Sequence, residues 1–218
     1  MAKQKVNQWS LAEVAQQHNY RGIKLGGYEC KDLSVHLVYS HLFANTINGI
    51  LDIGHGVRPL PYASDIYGVG FPIGLRNYVG AEVNEQVLNI CKATQKDFSK
   101  RDKSMNLSVK FFKQDVEKRF SKNFSKAVEG CNLVFMDSTL TLMEDPKAFI
   151  KKISKRVDWI YLKRTPVVRK TERREYKWTG MQDASPNWHL GLDFYEQLHR
   201  IKSFFFDAST IALDCRDV

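Results

Sequence analysis

At 218 residues, with 43% apolar, 12% aromatic and 26% charged side chains, the chain is long enough to bury one sizeable core and too short for two ordinary domains. Its 13 Phe, 9 Tyr and 4 Trp exclude disorder as the main state, because that apolar area offsets the entropy lost on ordering. No apolar run approaches the roughly 18 residues of a membrane span, and the stretch from Met1 to Ser10 is polar rather than the apolar core of a signal peptide. A single soluble, cytoplasmic domain is the expectation.

The formal charge of +9 is unevenly placed. Residues 92–126 hold 11 basic and 4 acidic side chains, residues 147–177 hold 12 and 3, and residues 178–218 hold 3 and 6. Two basic stretches of this kind favour nucleic acid, anionic metabolites or an acidic protein as partners. Cys30, Cys91, Cys131 and Cys215 are isolated, without a CxxC pair or a His at ligand spacing. Buried reduced thiols are expected, not a metal centre or a disulfide framework.

In chain order, Ser10-Leu11-Ala12-Glu13 has the capping-box pattern of a helix start. A second helix begins near Asp32, with Leu33, Leu37, Val38 and Leu42 on one face. These helices occupy residues 1–48, ahead of a core over 49–218. The first strand, 49–53, runs into Gly54-His55-Gly56, and the second, 78–82, ends in the carboxylate of Glu82. Asn84 caps the next helix, which turns Val87, Leu88, Cys91, Thr94 and Phe98 towards the sheet. A third strand over 107–112 closes before Asp115, a fourth spans 132–136, and Asp145-Pro146 starts another helix. The fifth strand covers 159–162.

A long basic and aromatic segment then runs from 163 to 189, followed by a helix over 192–199 and two strands, 201–206 and 209–215, joined as a hairpin. The pattern predicts an α/β, doubly wound, mostly parallel seven-stranded sheet with a C-terminal antiparallel hairpin and helices on both faces.

Ligands of such sheets collect at the carboxyl ends of the strands, where this chain places Asp52, Gly54, Gly56, Glu82, Asp115 and Asp137. A Gly-x-Gly turn lets a ligand approach the backbone, and an acid at the end of the next strand can accept both hydroxyls of a ribose. Singly, each feature has a plainer meaning: the glycines can form a tight turn and Asp137 can cap a helix. Together they suit a nucleoside-bearing cofactor. A dinucleotide oxidoreductase fits less well, because Pro59 stands where that motif needs Gly and Glu82 follows Gly54 by 28 positions instead of roughly 20.

Leu51-Asp52-Ile53-Gly54-His55-Gly56 resembles the first motif of class I S-adenosylmethionine-dependent methyltransferases. Val79 to Asn84, Val109 to Val116 and Asn132 to Leu140 resemble the next three motifs in order, and the closing hairpin matches the family's antiparallel strand. The resemblance implies S-adenosyl-L-methionine as cofactor. It sets Asp52 and Gly54 against the methionine part, Glu82 with Val83 on the ribose, Asp115 with the Val116 amide on the adenine, and Asp137 and Ser138 at the end of the fourth motif. His55 and Gly56 belong to the cofactor turn. Arg58 and Pro59 stand where the family usually has another small residue, and the Arg58 guanidinium suits the cofactor's carboxylate. The 25 residues between Gly56 and Glu82 are more than the family usually has.

The segment 163–189 leaves the fifth strand at the same edge and is the expected substrate side. Arg164, Arg169 and Arg173 offer anion contacts, and Trp178 and Trp188 offer stacking faces; the plainer reading is a solvated loop. No Asn-Pro-Pro-Tyr element follows the fourth strand, and Thr139-Leu140-Thr141-Leu142-Met143-Glu144-Asp145-Pro146 with Phe149 resembles the helix start of methyltransferases acting on small molecules. The expected reaction is methyl transfer to a small or anionic metabolite, with Asp137, His189 and Tyr176 as candidate bases. The rival readings are an RNA methyltransferase and a noncatalytic RNA-binding or scaffold protein of the same fold.

Overall fold

The computed structural model describes residues 47–56, 59, 75–101, 107–176, 185–206 and 208–218. The helices expected from Ser10 and Asp32 lie outside these residues, as do Arg58 and Trp178. The described strands are β1 (Gly49–Ile53), β2 (Asn77–Glu82), β3 (Ser108–Lys113), β4 (Leu133–Asp137), β5 (Trp159–Lys163), β6 (Val167–Val168), β7 (Glu172–Tyr176), β8 (Ser185–Gly191), β9 (Lys202–Phe205) and β10 (Ile211–Asp214). The helices are α1 (Glu85–Arg101), α2 (Lys122–Val128), α3 (Pro146–Ile153) and α4 (Leu192–Glu196).

Seven strands form one sheet in the order β3-β2-β1-β4-β5-β10-β9. The first five are mutually parallel, and β10 runs antiparallel to both β5 and β9. Strands at the centre of such a sheet are covered on both faces and so read as unbroken apolar runs; all five residues of β1 are buried. Leu51, Ile53, Val134 and Met136 pack with Phe124 of α2 and Phe149 and Ile150 of α3 on one face. Ile50, Tyr78, Leu133 and Phe135 pack with Leu88 and Cys91 of α1 on the other. Cys91, Cys131 and Cys215 are buried, and burial pushes each thiol up to about 12.

Local chemistry sets the helix starts. Asn84 Oδ1 accepts from the amides of Gln86 (2.9 Å) and Val87 (3.3 Å) ahead of α1, and Asp145 Oδ1 accepts from Ala148 N (2.9 Å) with Pro146 in the first turn of α3. The sequence reading passed over α2, which Ser121 caps through Phe124 N at 3.3 Å.

The described residues of segment 163–189 are folded, not simply solvated. Strands β6, β8 and β7 form a second, three-stranded sheet. It is tied to the 3₁₀ turn Leu140–Leu142 and the residue after it: Trp188 Nε1 donates to Met143 O (2.9 Å), and Thr141 Oγ1 lies 3.3 Å from Asn187 Oδ1.

At the other end of the sheet, buried Asp214 accepts two hydrogen bonds from the Arg216 guanidinium, at 2.9 and 2.7 Å, and one from its amide, at 3.2 Å, and the guanidinium also lies 4.7 Å from the Trp159 ring centroid. Arg216 holds the Asp214 carboxyl below its ordinary value of 3.8. A carboxylate depressed in the folded state stabilises the fold above its unfolded value, and that contribution disappears as the pH falls through the folded value. Urea midpoints measured from about pH 5 down to about pH 2.5 should therefore fall, and fall less steeply in Asp214→Asn, which starts from a lower midpoint at pH 5. Equal slopes in the two proteins would show that another group controls the acid loss.

Candidate functional site

The strand order reverses direction between β1 and β4, the place where open α/β sheets bind ligands. Ile53 pairs with Ala81 on β2 and Met136 on β4. One step further, Gly54 stands between Glu82 and Asp137, and its amide donates to Ala81 O at 2.8 Å. Gly54 and Gly56 have φ of +65° and +58°, left-handed values that a residue without a Cβ adopts at least cost. A Cβ at Gly54 would come within 2.4 Å of Thr139 Oγ1, whereas one at Gly56 would meet nothing within 4 Å among the described residues. The turn is thus closed by Thr139 on one side and, among the described residues, open on the other.

Glu82 is 9% exposed. Its Oε1 accepts from the amides of Val83 (2.8 Å) and Asn84 (3.0 Å), and its Oε2 from Gly56 N (3.2 Å). A carboxylate offers about four lone-pair sites, so Oε2 keeps acceptor capacity beside the open face of Gly56. Asp52, 2% exposed, accepts a 2.5 Å hydrogen bond from the Tyr78 hydroxyl. His55 points into the packing instead: its ring meets Phe111 edge-on at 5.2 Å and Nδ1 lies 2.7 Å from Gly56 O. Because a carbonyl only accepts, Nδ1 carries the proton. Nε2 is buried without a hydrogen-bond partner among the described residues.

Past β3, Asp115 Oδ1 accepts from Glu117 N (3.1 Å), and Oδ2 pairs with Lys118 Nζ (2.8 Å), which raises the lysine's proton affinity. Val116 is buried, with its carbonyl oxygen taking Lys152 Nζ at 2.9 Å. Its amide donates no hydrogen bond among the described residues.

At the ends of β4 and β5, Arg164 Nε donates to Asp137 Oδ1, and Ser138 Oγ lies 3.5 Å from the same oxygen. Ser138 N donates to Lys163 O at 2.9 Å. Ser138 (φ +59°) and Arg164 (φ +49°) both occupy the left-handed region, at roughly 1–2 kcal/mol each. The Arg164 and Asp137 side chains are 35% and 28% exposed, so their ion pair offsets at most about 1 kcal/mol of that cost.

Of the residues expected from sequence, Asp52, Gly54, Gly56, Glu82, Asp137 and Ser138 converge at the ends of β1, β2 and β4, with Val83 next to Glu82 and Asp115 and Val116 just beyond β3. Arg164 joins this group through Asp137. The others lie on or beside the small sheet. Arg169 is exposed. Arg173 lies 5.5 Å from the Trp188 ring centroid. His189 pairs in register with Glu172, and Tyr176 ends β7 opposite Ser185. Sequence reasoning missed Thr139 and Tyr78, whose roles come from neighbours 85 positions and 26 positions away, Gly54 and Asp52.

No protein-family model matches the chain, and no curated protein matches it in sequence. Solved structures do. A S-adenosylmethionine-dependent methyltransferase from Clostridium acetobutylicum superposes with a TM-score of 0.55 at 8% identity, over 91% of this chain and 96% of that one. The small RNA methyltransferase HEN1 superposes with a TM-score of 0.56 at 10% identity, over 84% of this chain and 25% of that one. The chain spans about half of the plantazolicin methyltransferase BpumL, matching 53% of it with 70% of its own length at 16% identity and a TM-score of 0.43. The likeness is one of fold: the chain has the class I methyltransferase fold.

The turn makes a local forecast. Gly54→Ala combines a left-handed alanine with a contact against Thr139 and should lose about 2–4 kcal/mol in urea unfolding. Thr139→Gly removes the contact, so the double variant should be more stable than the sum of the two single losses allows. Strict additivity would show that Thr139 does not close the turn.

Proposed function

We propose that the chain binds S-adenosyl-L-methionine over the carboxyl ends of β1, β2 and β3 and transfers its methyl group to a small or anionic acceptor. The observation that carries this reading is the Glu82 carboxylate, fixed by three backbone amides and keeping acceptor capacity next to the open side of a left-handed glycine turn. Such an anchored acceptor suits a ribose hydroxyl. The Asp115 carboxylate and the undonated Val116 amide supply an acceptor and a donor side by side, the pair that an adenine edge needs. The residues present therefore fit the cofactor. Gly54 and Gly56 let the backbone approach its methionine part.

When bound, S-adenosylmethionine supplies a methyl group already made electrophilic by its sulfonium. The chain's own task is then mainly to position. Thr139 Oγ1 donates to Ile53 O at 3.0 Å and holds the loop after β4 against the turn. Asp137 is engaged by Arg164 and Ser138, which makes orienting its neighbours its principal work. If the acceptor carries a proton, His189 and Tyr176 remain candidates to take it, together with Asp137.

Titration calorimetry with S-adenosylmethionine and S-adenosylhomocysteine tests the reading. Both should bind saturably. Asp115→Ala removes one hydrogen-bond acceptor and should weaken binding about threefold to tenfold, with the urea midpoint held close to that of the parent. Absence of saturable binding to the intact chain would overturn the cofactor assignment.

A further inference from the structure

We propose that Arg164 recognises an oxyanion, a carboxylate or a phosphate, on the methyl acceptor, and that Asp137 is its positioning residue. The proposal rests on the methyl-transfer reading for the identity of the bound molecule as an acceptor.

A guanidinium carries five N–H donors in a fixed planar fork. Arg164 spends its Nε–H on Asp137, and neither Nη group has a polar partner among the described residues. The side chain is one-third exposed and sits one residue beyond the register pair Asp137↔Lys163, beside the point where the strand order reverses. The anchored Nε fixes the plane of the fork, leaving the Nη donors to meet two oxygens of one anion, which is bidentate recognition.

The backbone supports a functional role over a structural one. Arg164 and Ser138 adopt left-handed conformations at the ends of adjacent strands, and the partly exposed ion pair offsets less than the two distortions cost. Glycine would satisfy the conformation at position 164 without strain. Local strain retained where a simpler residue would fit is characteristic of sites that hold a side chain for a ligand.

Arginine side-chain ¹⁵N resonances of the full chain loaded with S-adenosylhomocysteine provide the test, with inorganic phosphate and acetate titrated separately. The Arg164 Nε resonance is identified by its loss in Arg164→Gly. It should shift saturably with one of the two anions, and the anion that succeeds tells phosphate from carboxylate. The apparent affinity for that anion, followed through the remaining arginine and amide resonances, should fall about tenfold or more in Arg164→Gly. Arg164→Lys keeps the charge and loses the fork, and should fall by a similar factor, about tenfold. Asp137→Asn should speed solvent exchange of the Nε proton and weaken anion binding, though less than either Arg164 variant, and the loss of anion affinity is the part that a merely structural role would not produce. S-adenosylhomocysteine affinity should stay within about twofold in both Arg164 variants.

Failure of both anions to saturate the resonance, or anion affinity unchanged in Arg164→Gly or in Arg164→Lys, overturns the proposal. Saturable anion binding at Arg164 in a chain that does not bind S-adenosylhomocysteine would leave the oxyanion site standing and remove the methyl-transfer reading.

Discussion

The Glu82 carboxylate is the constraint on which the candidate site depends. It lies at the end of β2 but gathers backbone from three places: Gly56 in the turn after β1, and Val83 and Asn84 at the entrance to α1. Buried amides left without acceptors are costly, so one nearly buried charge ties the first turn, the second strand and the first described helix into a single unit. Asn84, held by Glu82, in turn caps α1, so the same carboxylate also sets where that helix begins. Of the two left-handed glycines, Gly56 is held by its amide on that carboxylate and Gly54 by its amide on Ala81 O.

A second set of constraints works across the reversal point. Thr139 rests on Gly54, Ser138 donates its amide to Lys163 O, and Arg164 reaches back to Asp137. The ends of β1, β4 and β5 are thereby linked by groups that do not take part in the sheet's own ladder. The small sheet is attached to this region through Thr141 and Met143, which places the Arg173–Trp188 stack on an element separate from the strand ends and connected to them by one short turn.

Much of this was legible in the sequence. Strands β1, β2, β4 and β5 are short apolar runs, and burial on both faces leaves little else they could be. Asn84 and Asp145-Pro146 announce their helices through local chemistry, and four acidic residues near strand ends mark the ligand side before any register is known. The rest was hidden for definite reasons. Helix α2 is seven residues of mixed polarity, with Phe124 its deepest anchor, and carries little periodic signal. Strand β7, Glu-Arg-Arg-Glu-Tyr, has no apolar alternation, and only pairing with β8 makes it a strand. His55 belongs to the glycine turn by its place in the sequence, but no local pattern records that its ring packs against Phe111 and Cys91. The anchoring of Arg164 by Asp137 depends on two strand ends being neighbours, which no local pattern records.

Strand β10 sits inside the sheet, flanked by β5 and β9, although it is the last strand in the chain. During synthesis, one margin of β5 must wait with its amide and carbonyl groups unmatched until residues 211–214 have left the ribosome. Exposed β margins recruit foreign strands, and the interior apolar residues Ile160 and Leu162 stand at this one. The nascent chain therefore passes through a stage with an unmatched apolar margin, which lasts until the roughly fifty residues that separate β5 from β10 have been added.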